Sequence, residues 1–131
     1  MTHQSFPARH RIPPMLALIY LAAGAAAAAG PAQTVTMSLG DYRFTPDVIE
    51  VNAGSPVILT LTNTDTITPH DFVLENEAGG LSIDLSVPAR KSASVEFTPA
   101  IPGSYAFHCS KKLLFMKSHE EKGMRGTLIV K

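Results

Sequence analysis

Short apolar runs, separated by glycine, proline, asparagine and aspartate, repeat along this chain from residue 35 to its end, and they strongly restrict its fold. Apolar residues alternate with polar ones in runs such as 57–62, as strands with one buried face require. No run before Cys109 has a convincing helical period. We therefore predict an all-β fold, a β-sandwich. The predicted strands are 35–39, 48–51, 57–62, 72–74, 81–87, 94–97, 105–109 and 126–131, with 41–46 as a turn.

The first 32 residues have the composition of an export signal. Arg9, His10 and Arg11 precede an apolar run over residues 15–29 that ends in small side chains, the order found in cleavable secretory signals. That run is shorter than the about 20 residues that cross a bilayer. We predict cleavage near residues 29–32, a single domain over 33–131, a periplasmic location and no stable membrane insertion.

Charge argues against a nucleic-acid-binding function. The chain has 11 basic and 11 acidic side chains, whereas such domains are strongly basic. Basic residues are concentrated in the segment 110–125, where five lysines and arginines against two glutamates leave a local charge of +3. This segment is either a solvated loop or a docking patch for an acidic partner.

The only cysteine, Cys109, would be an unpaired thiol in an oxidising compartment unless something occupies it. A lone cysteine is commonly a buried structural thiol, but here His119 and Met124 follow it before the last strand. Together with His70 upstream, these side chains supply the thiolate, two imidazoles and thioether of a mononuclear blue-copper-type site. Strand alternation turns His108 away from the face of Cys109. Three histidines follow the predicted signal segment, and setting His108 aside leaves His70 and His119 as the two imidazoles of a site for one copper ion.

Two other uses of these side chains explain them less well. A structural zinc site closes with four strong donors, and a thioether is not one of them. A cysteine nucleophile would need a histidine as its base and would leave Met124 without a role.

The chain resembles the cupredoxins, the type 1 copper proteins, over essentially all of the region after the signal. The resemblance lies in Phe44-Thr45-Pro46, Pro69-His70, the run 103–109 and Gly123-Met124-Arg125-Gly126. It implies a Greek-key β-sandwich with the copper site at one end, beneath the loop joining the last two strands.

That resemblance also implies the residues of the site. It carries the copper ligands onto His70, Cys109, His119 and Met124. In plastocyanin-like members, the residues after the first histidine and after the cysteine hydrogen-bond to each other, which here pairs Asp71 with Ser110. An aspartate in that place is expected to lower the reduction potential through its charge.

The loop between the cysteine and the second histidine departs from the family pattern. Nine residues separate Cys109 from His119, whereas familiar members have two to four. The geometry of the site, and hence a blue, green or red colour, stays open. Met116 is a second candidate for the axial position. The apolar residues Leu113, Leu114 and Phe115 either form a docking surface or fold back onto the sandwich, and we expect folding back for at least two of them.

Three functions fit these observations. The first is a monomeric one-electron carrier without catalytic activity, which exchanges electrons with redox proteins such as cytochromes or a terminal oxidase or reductase, with 111–125 as the docking loop. The second is a copper-handling or copper-tolerance protein that binds copper without transferring electrons. The third is a small redox enzyme with an open coordination position on the metal.

Overall fold

The computed structural model describes residue 24 and residues 28–131, which form nine strands. The strands are β1 (Gln33–Gly40), β2 (Arg43–Thr45), β3 (Val48–Val51), β4 (Val57–Asn63), β5 (His70–Asn76), β6 (Leu81–Val87), β7 (Ser92–Phe97), β8 (Gly103–His108) and β9 (Arg125–Val130). Within this part of the chain no α-helix forms, and so none could span a bilayer. The predicted signal segment, 1–32, lies almost entirely outside the described residues.

The strands form two sheets packed face to face. One sheet has the order β2-β1-β4-β7, and the other has the order β3-β9-β8-β5-β6. The chain passes between the sheets after β2, β3, β4, β6 and β7, so neighbouring strands are often distant in sequence, as in Greek-key sandwiches. The predicted all-β sandwich is confirmed.

Alternating side chains from both sheets fill the core. Val57, Leu59 and Leu61 of β4 are fully buried, as the period of two predicts. Towards one end, the core becomes aromatic: Phe107 packs edge-on against Phe44, with ring centroids 5.1 Å apart, and lies 4.7 Å from Phe72. Cys109 follows Phe107 by two residues, so its buried side chain lies on the same face as this aromatic cluster.

The prediction of 41–46 as a turn was wrong in part. Asp41 and Tyr42 form the turn, with φ of 50° and 55°, and Arg43–Thr45 then pairs with β1 as strand β2. This pairing buries Phe44 in the core. A strand of three residues is too short to show a hydrophobic period, so the sequence pattern could not reveal it.

Candidate metal centre

Three potential ligands meet at one end of the sandwich. His70 is the first residue of β5, Cys109 directly follows β8, and His119 lies in the loop before β9. The two Nδ1 atoms are 3.1 Å apart, and the Cys109 Sγ lies 3.5 Å from Nδ1 of His119 and 3.9 Å from Nδ1 of His70. All three side chains are buried. Among the described residues, this is the only cluster of three or more histidine, cysteine, aspartate or glutamate side chains spaced for one ion.

These separations fit a single metal ion. Imidazole nitrogens and thiolate sulfurs bind metals such as zinc at about 2.0–2.3 Å, and two ligands at such bond lengths lie roughly 3–4 Å apart. The donor set of two imidazoles and one thiolate is the trigonal set of blue-copper sites. The residues present therefore suit copper.

The protonation of the donors also suits a metal ion. Burial raises the pKa of Cys109 to about 11, although a hydrogen bond from the Asp71 N–H to Sγ opposes the shift. The thiol of the metal-free protein is therefore neutral at pH 7, and binding a metal displaces its proton. Burial is the largest cause that lowers the pKa of His119, and the repulsion that a second proton would meet from the neighbouring His70 ring and from Lys122 acts in the same direction. Its imidazole is neutral at pH 7 and has a lone pair for a metal.

A capped helical turn over residues 118–123 holds His119 in place. At its start, the Ser118 Oγ accepts the N–H of Glu121 at 3.1 Å, and a Glu121 carboxylate oxygen accepts the N–H of Ser118 at 2.6 Å. This reciprocal pair is a capping box. At its end, Gly123 has a φ of 102°, which permits the Schellman closure found at helix C-termini.

Met124 is joined to Cys109 and His119 by backbone hydrogen bonds. Its N–H donates to the His119 carbonyl at 3.0 Å, and its carbonyl accepts the N–H of Cys109 at 3.1 Å. Its side chain is fully buried, whereas Met116 is half exposed. The signals for this turn are present in the sequence as Ser118-x-x-Glu121 and the following Gly123.

Asp71 and Ser110 tie the two ligand segments together, as the family resemblance implied. One Asp71 oxygen accepts the Ser110 N–H and the other accepts its hydroxyl, each at 2.6 Å. The ammonium of Lys111 lies 3.7 Å from the same carboxylate. The segments that carry His70 and Cys109 are thereby joined directly beside the donors.

Sequence reasoning missed two residues that contact the histidines. The Asp65 carboxylate lies 2.8 Å from Nε2 of His70. Burial acts to raise the pKa of Asp65, but hydrogen bonds from His70 and from the Asp41 N–H together outweigh that effect and lower the pKa below its usual value. The carboxylate is therefore ionised at pH 7. The Tyr42 ring packs edge-on against His119, 4.9 Å between centroids. Both lie in irregular segments, and no local pattern marks them.

The expectation that at least two apolar side chains of the long loop fold back was wrong. Leu113 is 63% exposed, Leu114 is 78% exposed and Phe115 is fully exposed. The core is already filled by strand residues, and the capped turn at 118–123 returns the chain to the metal centre without them. Beside this apolar ridge, formed by residues 113–116, a cleft of about 300 Å³ extends to His119.

An all-β sandwich that gathers a thiol and two imidazoles at one end has the features of a small copper-binding protein. Comparison with known proteins agrees with that class. The chain belongs to the cupredoxin family, because the family model described as "Cupredoxin-like domain" matches residues 14–130. Homologues in this family bind copper.

Individual relatives extend this result. Plastocyanin of Dryopteris crassirhizoma is 30% identical over 104 residues, covering 71% of this chain and 92% of the relative. A dithionite-reduced auracyanin of Roseiflexus castenholzii has a TM-score of 0.61 at 21% identity, covering 78% of this chain and 99% of the other. A third match is the metal-binding domain, with Cu(I), of a Cu(I)-exporting P-type ATPase of Streptococcus pneumoniae. It has a TM-score of 0.60 at 18% identity, covering 81% of this chain and 92% of the other. The last two share the fold.

Proposed function

We propose that this protein is a periplasmic one-electron carrier with a type 1 copper site and no catalytic activity of its own. The proposed ligands are two histidines, one cysteine and one methionine: His70, His119, Cys109 and Met124. The observation that carries the proposal is the buried cluster in which the donor atoms of His70, Cys109 and His119 lie within 4.8 Å of one another. Bound copper supplies the redox chemistry, since it is stable as both Cu(I) and Cu(II).

The protein's own contribution is to hold the donors in one arrangement. Asp71 and Ser110 link the first two ligand segments, and backbone hydrogen bonds link Met124 to Cys109 and His119. Donors fixed before the metal binds resist rearrangement when the metal charge changes. A small rearrangement favours fast electron transfer.

Met124 is the proposed axial ligand, in preference to Met116. Its full burial and its hydrogen bonds to two donor residues support this choice. A weak axial thioether is typical of blue-copper electron-transfer sites and tunes their potential.

The periplasmic location is supported by the predicted signal segment 1–32 and by the unpaired cysteine. Cys109 is buried, and a metal ion on its sulfur would protect it from oxidation. The domain proposed for the mature protein, 33–131, begins where strand β1 begins.

The apolar ridge is the proposed docking surface for a redox partner. Four exposed apolar side chains occupy residues 113–116, and lysines lie around the adjacent cleft to His119. An apolar centre with a charged rim is the usual anatomy of a transient interface. The local positive charge favours an acidic partner, which it would also attract from a distance.

Replacing Phe115 by serine is expected to slow electron exchange with an acidic c-type cytochrome about tenfold. Truncating an aromatic interface anchor often costs more than about 1 kcal/mol, and about 1.4 kcal/mol corresponds to a factor of ten. Stopped-flow absorbance would give the rate constant, and voltammetry should show an unchanged potential. The control is Ile101→Ser, which removes an exposed apolar side chain near the start of β8. Equal slowing by both variants would contradict docking at the ridge.

Replacing Asp71 by asparagine is expected to raise the reduction potential. The negative charge of Asp71, beside the Cys109 thiolate, stabilises Cu(II), and the substitution removes that charge. Asparagine retains an oxygen that can accept a hydrogen bond from the Ser110 N–H. Lys111→Met is the matched opposite: it leaves the Asp71 charge without its ammonium partner and should lower the potential. Voltammetry of both copper-loaded variants measures the two shifts. Shifts of the same sign would contradict the electrostatic explanation.

A copper-handling protein is the second candidate function. The cleft beside His119 is lined in part by Met116, and a thioether is a soft ligand that suits Cu(I). The shared fold with the Cu(I)-exporter domain is compatible with this role.

One experiment separates the two functions. The copper-loaded protein is cycled by protein-film voltammetry, mixed with the acidic c-type cytochrome, and separately mixed with a Cu(I) chelator. A carrier gives a reversible one-electron wave and exchanges electrons with the cytochrome much faster than it loses copper. Absence of a reversible wave, together with rapid copper loss to the chelator, would overturn the carrier proposal in favour of copper handling.

A further inference from the structure

The second nitrogen of His70 faces a carboxylate. The ring is fully buried, its Nδ1 lies 3.1 Å from the Nδ1 of His119, and its Nε2 lies 2.8 Å from Oδ2 of Asp65. An ionised carboxylate can only accept hydrogen bonds. Nε2 therefore carries the hydrogen, and Nδ1 presents its lone pair towards Cys109 and His119.

Asp65 is itself held through its side chain and its backbone, by Asp41, Asn63 and Arg90. Its Oδ1 accepts the Asp41 N–H at 3.1 Å, in the turn between β1 and β2. Its backbone N–H donates to Asn63 Oδ1 at 3.0 Å, and its carbonyl accepts the Arg90 N–H at 3.1 Å. Oδ2 is left to accept from His70, and the Asp65 side chain is only 24% exposed.

The residue that anchors this loop is buried Asn63. Its amide donates to the carbonyls of Thr68 and Val87 at 2.9 and 3.0 Å, while its oxygen accepts the Asp65 N–H. The loop from Asn63 to His70 is thus closed on itself and joined to the end of β6. Asp65 and His70 are both held by this loop, so their contact is built into the fold.

We propose that Asp65 is a positioning residue, which fixes the tautomer and ring orientation of His70 and lowers the reduction potential of the copper site. The inference rests on the proposed function, since it needs His70 as a copper ligand. A carboxylate that accepts a hydrogen bond from a metal-ligating imidazole raises the basicity of that imidazole. A more basic imidazole donates more electron density and stabilises Cu(II) more than Cu(I).

The test compares Asp65→Asn with Glu77→Gln in the full copper-loaded domain. Asparagine keeps an oxygen that can accept from Nε2 but removes the charge. Glu77 directly follows strand β5 and lies seven residues after His70. At about 3.4 Å per residue of strand, it is about 24 Å from His70, so its replacement removes a charge distant from the site. Affinities for Cu(II) and Cu(I) are measured by chelator competition, and the potential is measured by voltammetry.

We expect Asp65→Asn to weaken Cu(II) binding about 10- to 100-fold, the usual cost of losing an outer partner of a ligand, and to weaken Cu(I) binding less. The potential then rises, by about 59 mV for each tenfold difference between the two losses. Glu77→Gln should keep the parent values. An Asp65→Asn protein with the parent potential and parent affinities overturns the inference.

A measurement on the unaltered protein covers the case in which Asp65→Asn does not fold. In the ¹⁵N-labelled Cu(I) form, NMR should show His70 protonated at Nε2, with that proton protected from solvent exchange. A rapidly exchanging Nε2 proton, or the other tautomer, overturns the inference. If instead the unaltered protein shows no reversible copper cycling, the proposed function itself has failed, and these two failures are distinguishable.

Discussion

Replacing Cys109 by alanine is expected to abolish the intense visible absorption of the Cu(II)-loaded protein. That absorption arises from charge transfer between a thiolate sulfur and Cu(II), and Cys109 is the only cysteine in the chain. Copper affinity should fall by more than the about 100-fold that loss of an outer partner can cost, since a ligand itself is removed. Visible and paramagnetic-resonance spectra would show the loss of the sulfur ligand, and chelator competition would give the affinity.

His108 provides the matched control for that experiment. It precedes Cys109 directly, but alternation along β8 turns it away from the buried face, and it lies outside the cluster formed by the metal-binding candidates. His108→Ala should therefore keep the absorption band and the affinity. If Cys109→Ala binds copper as well as the unaltered protein and the latter has no intense band, the proposed site is wrong.

Replacing Phe107 by alanine is expected to lower the free energy of unfolding by about 3–5 kcal/mol, the usual cost of truncating a buried phenylalanine. Phe107 is completely buried and packs against both Phe44 and Phe72, so the substitution leaves a hole that the two sheets cannot close. Urea denaturation of the metal-free protein measures the effect without a contribution from copper binding.

Phe115→Ala is the control for this prediction, because it removes the same ring from a fully exposed position. A surface substitution of this kind usually changes stability by no more than about 0.5 kcal/mol. Comparable destabilisation by the two substitutions would contradict the assignment of Phe107 to the core and of Phe115 to the surface. The pair also separates folding from docking, since Phe115 is proposed to act only in the latter.

Local regularity explains which parts of the fold could be predicted. The alternation in 57–62 and 81–87 appears as β4 and β6, because one face of each strand packs into the core. Strand β2 was missed since its pairing depends on the turn at Asp41 and Tyr42 rather than on a period of its own. Likewise β5 begins at His70, two residues before the predicted apolar run, because pairing with β6 extends it.

The metal centre, too, has features that the sequence predicts and features that only the folded chain reveals. The chemistry of Cys109, the alternation that turns His108 away and the count of histidines were all available in the sequence. Their meeting with His70 in space is a tertiary result, since His70 comes from β5 and lies 39 residues before Cys109. The exposure of Leu113, Leu114 and Phe115 contradicted expectation because hydrophobicity alone does not tell whether the core has room for a side chain.

By itself, the sequence determined the all-β class, the kinds of donor available for copper and the segment that holds three of the four proposed ligands. These follow from side-chain chemistry and from periods of two residues, which are local properties. Only the tertiary structure decided that Asp65 faces His70, that Tyr42 covers His119 and that the long loop projects its apolar side chains into solvent. The first contact depends on hydrogen bonds that hold Asp65 to the distant Asp41 and Arg90, and the second joins two residues far apart in the chain. The exposure of the loop follows from a core that strand residues already fill.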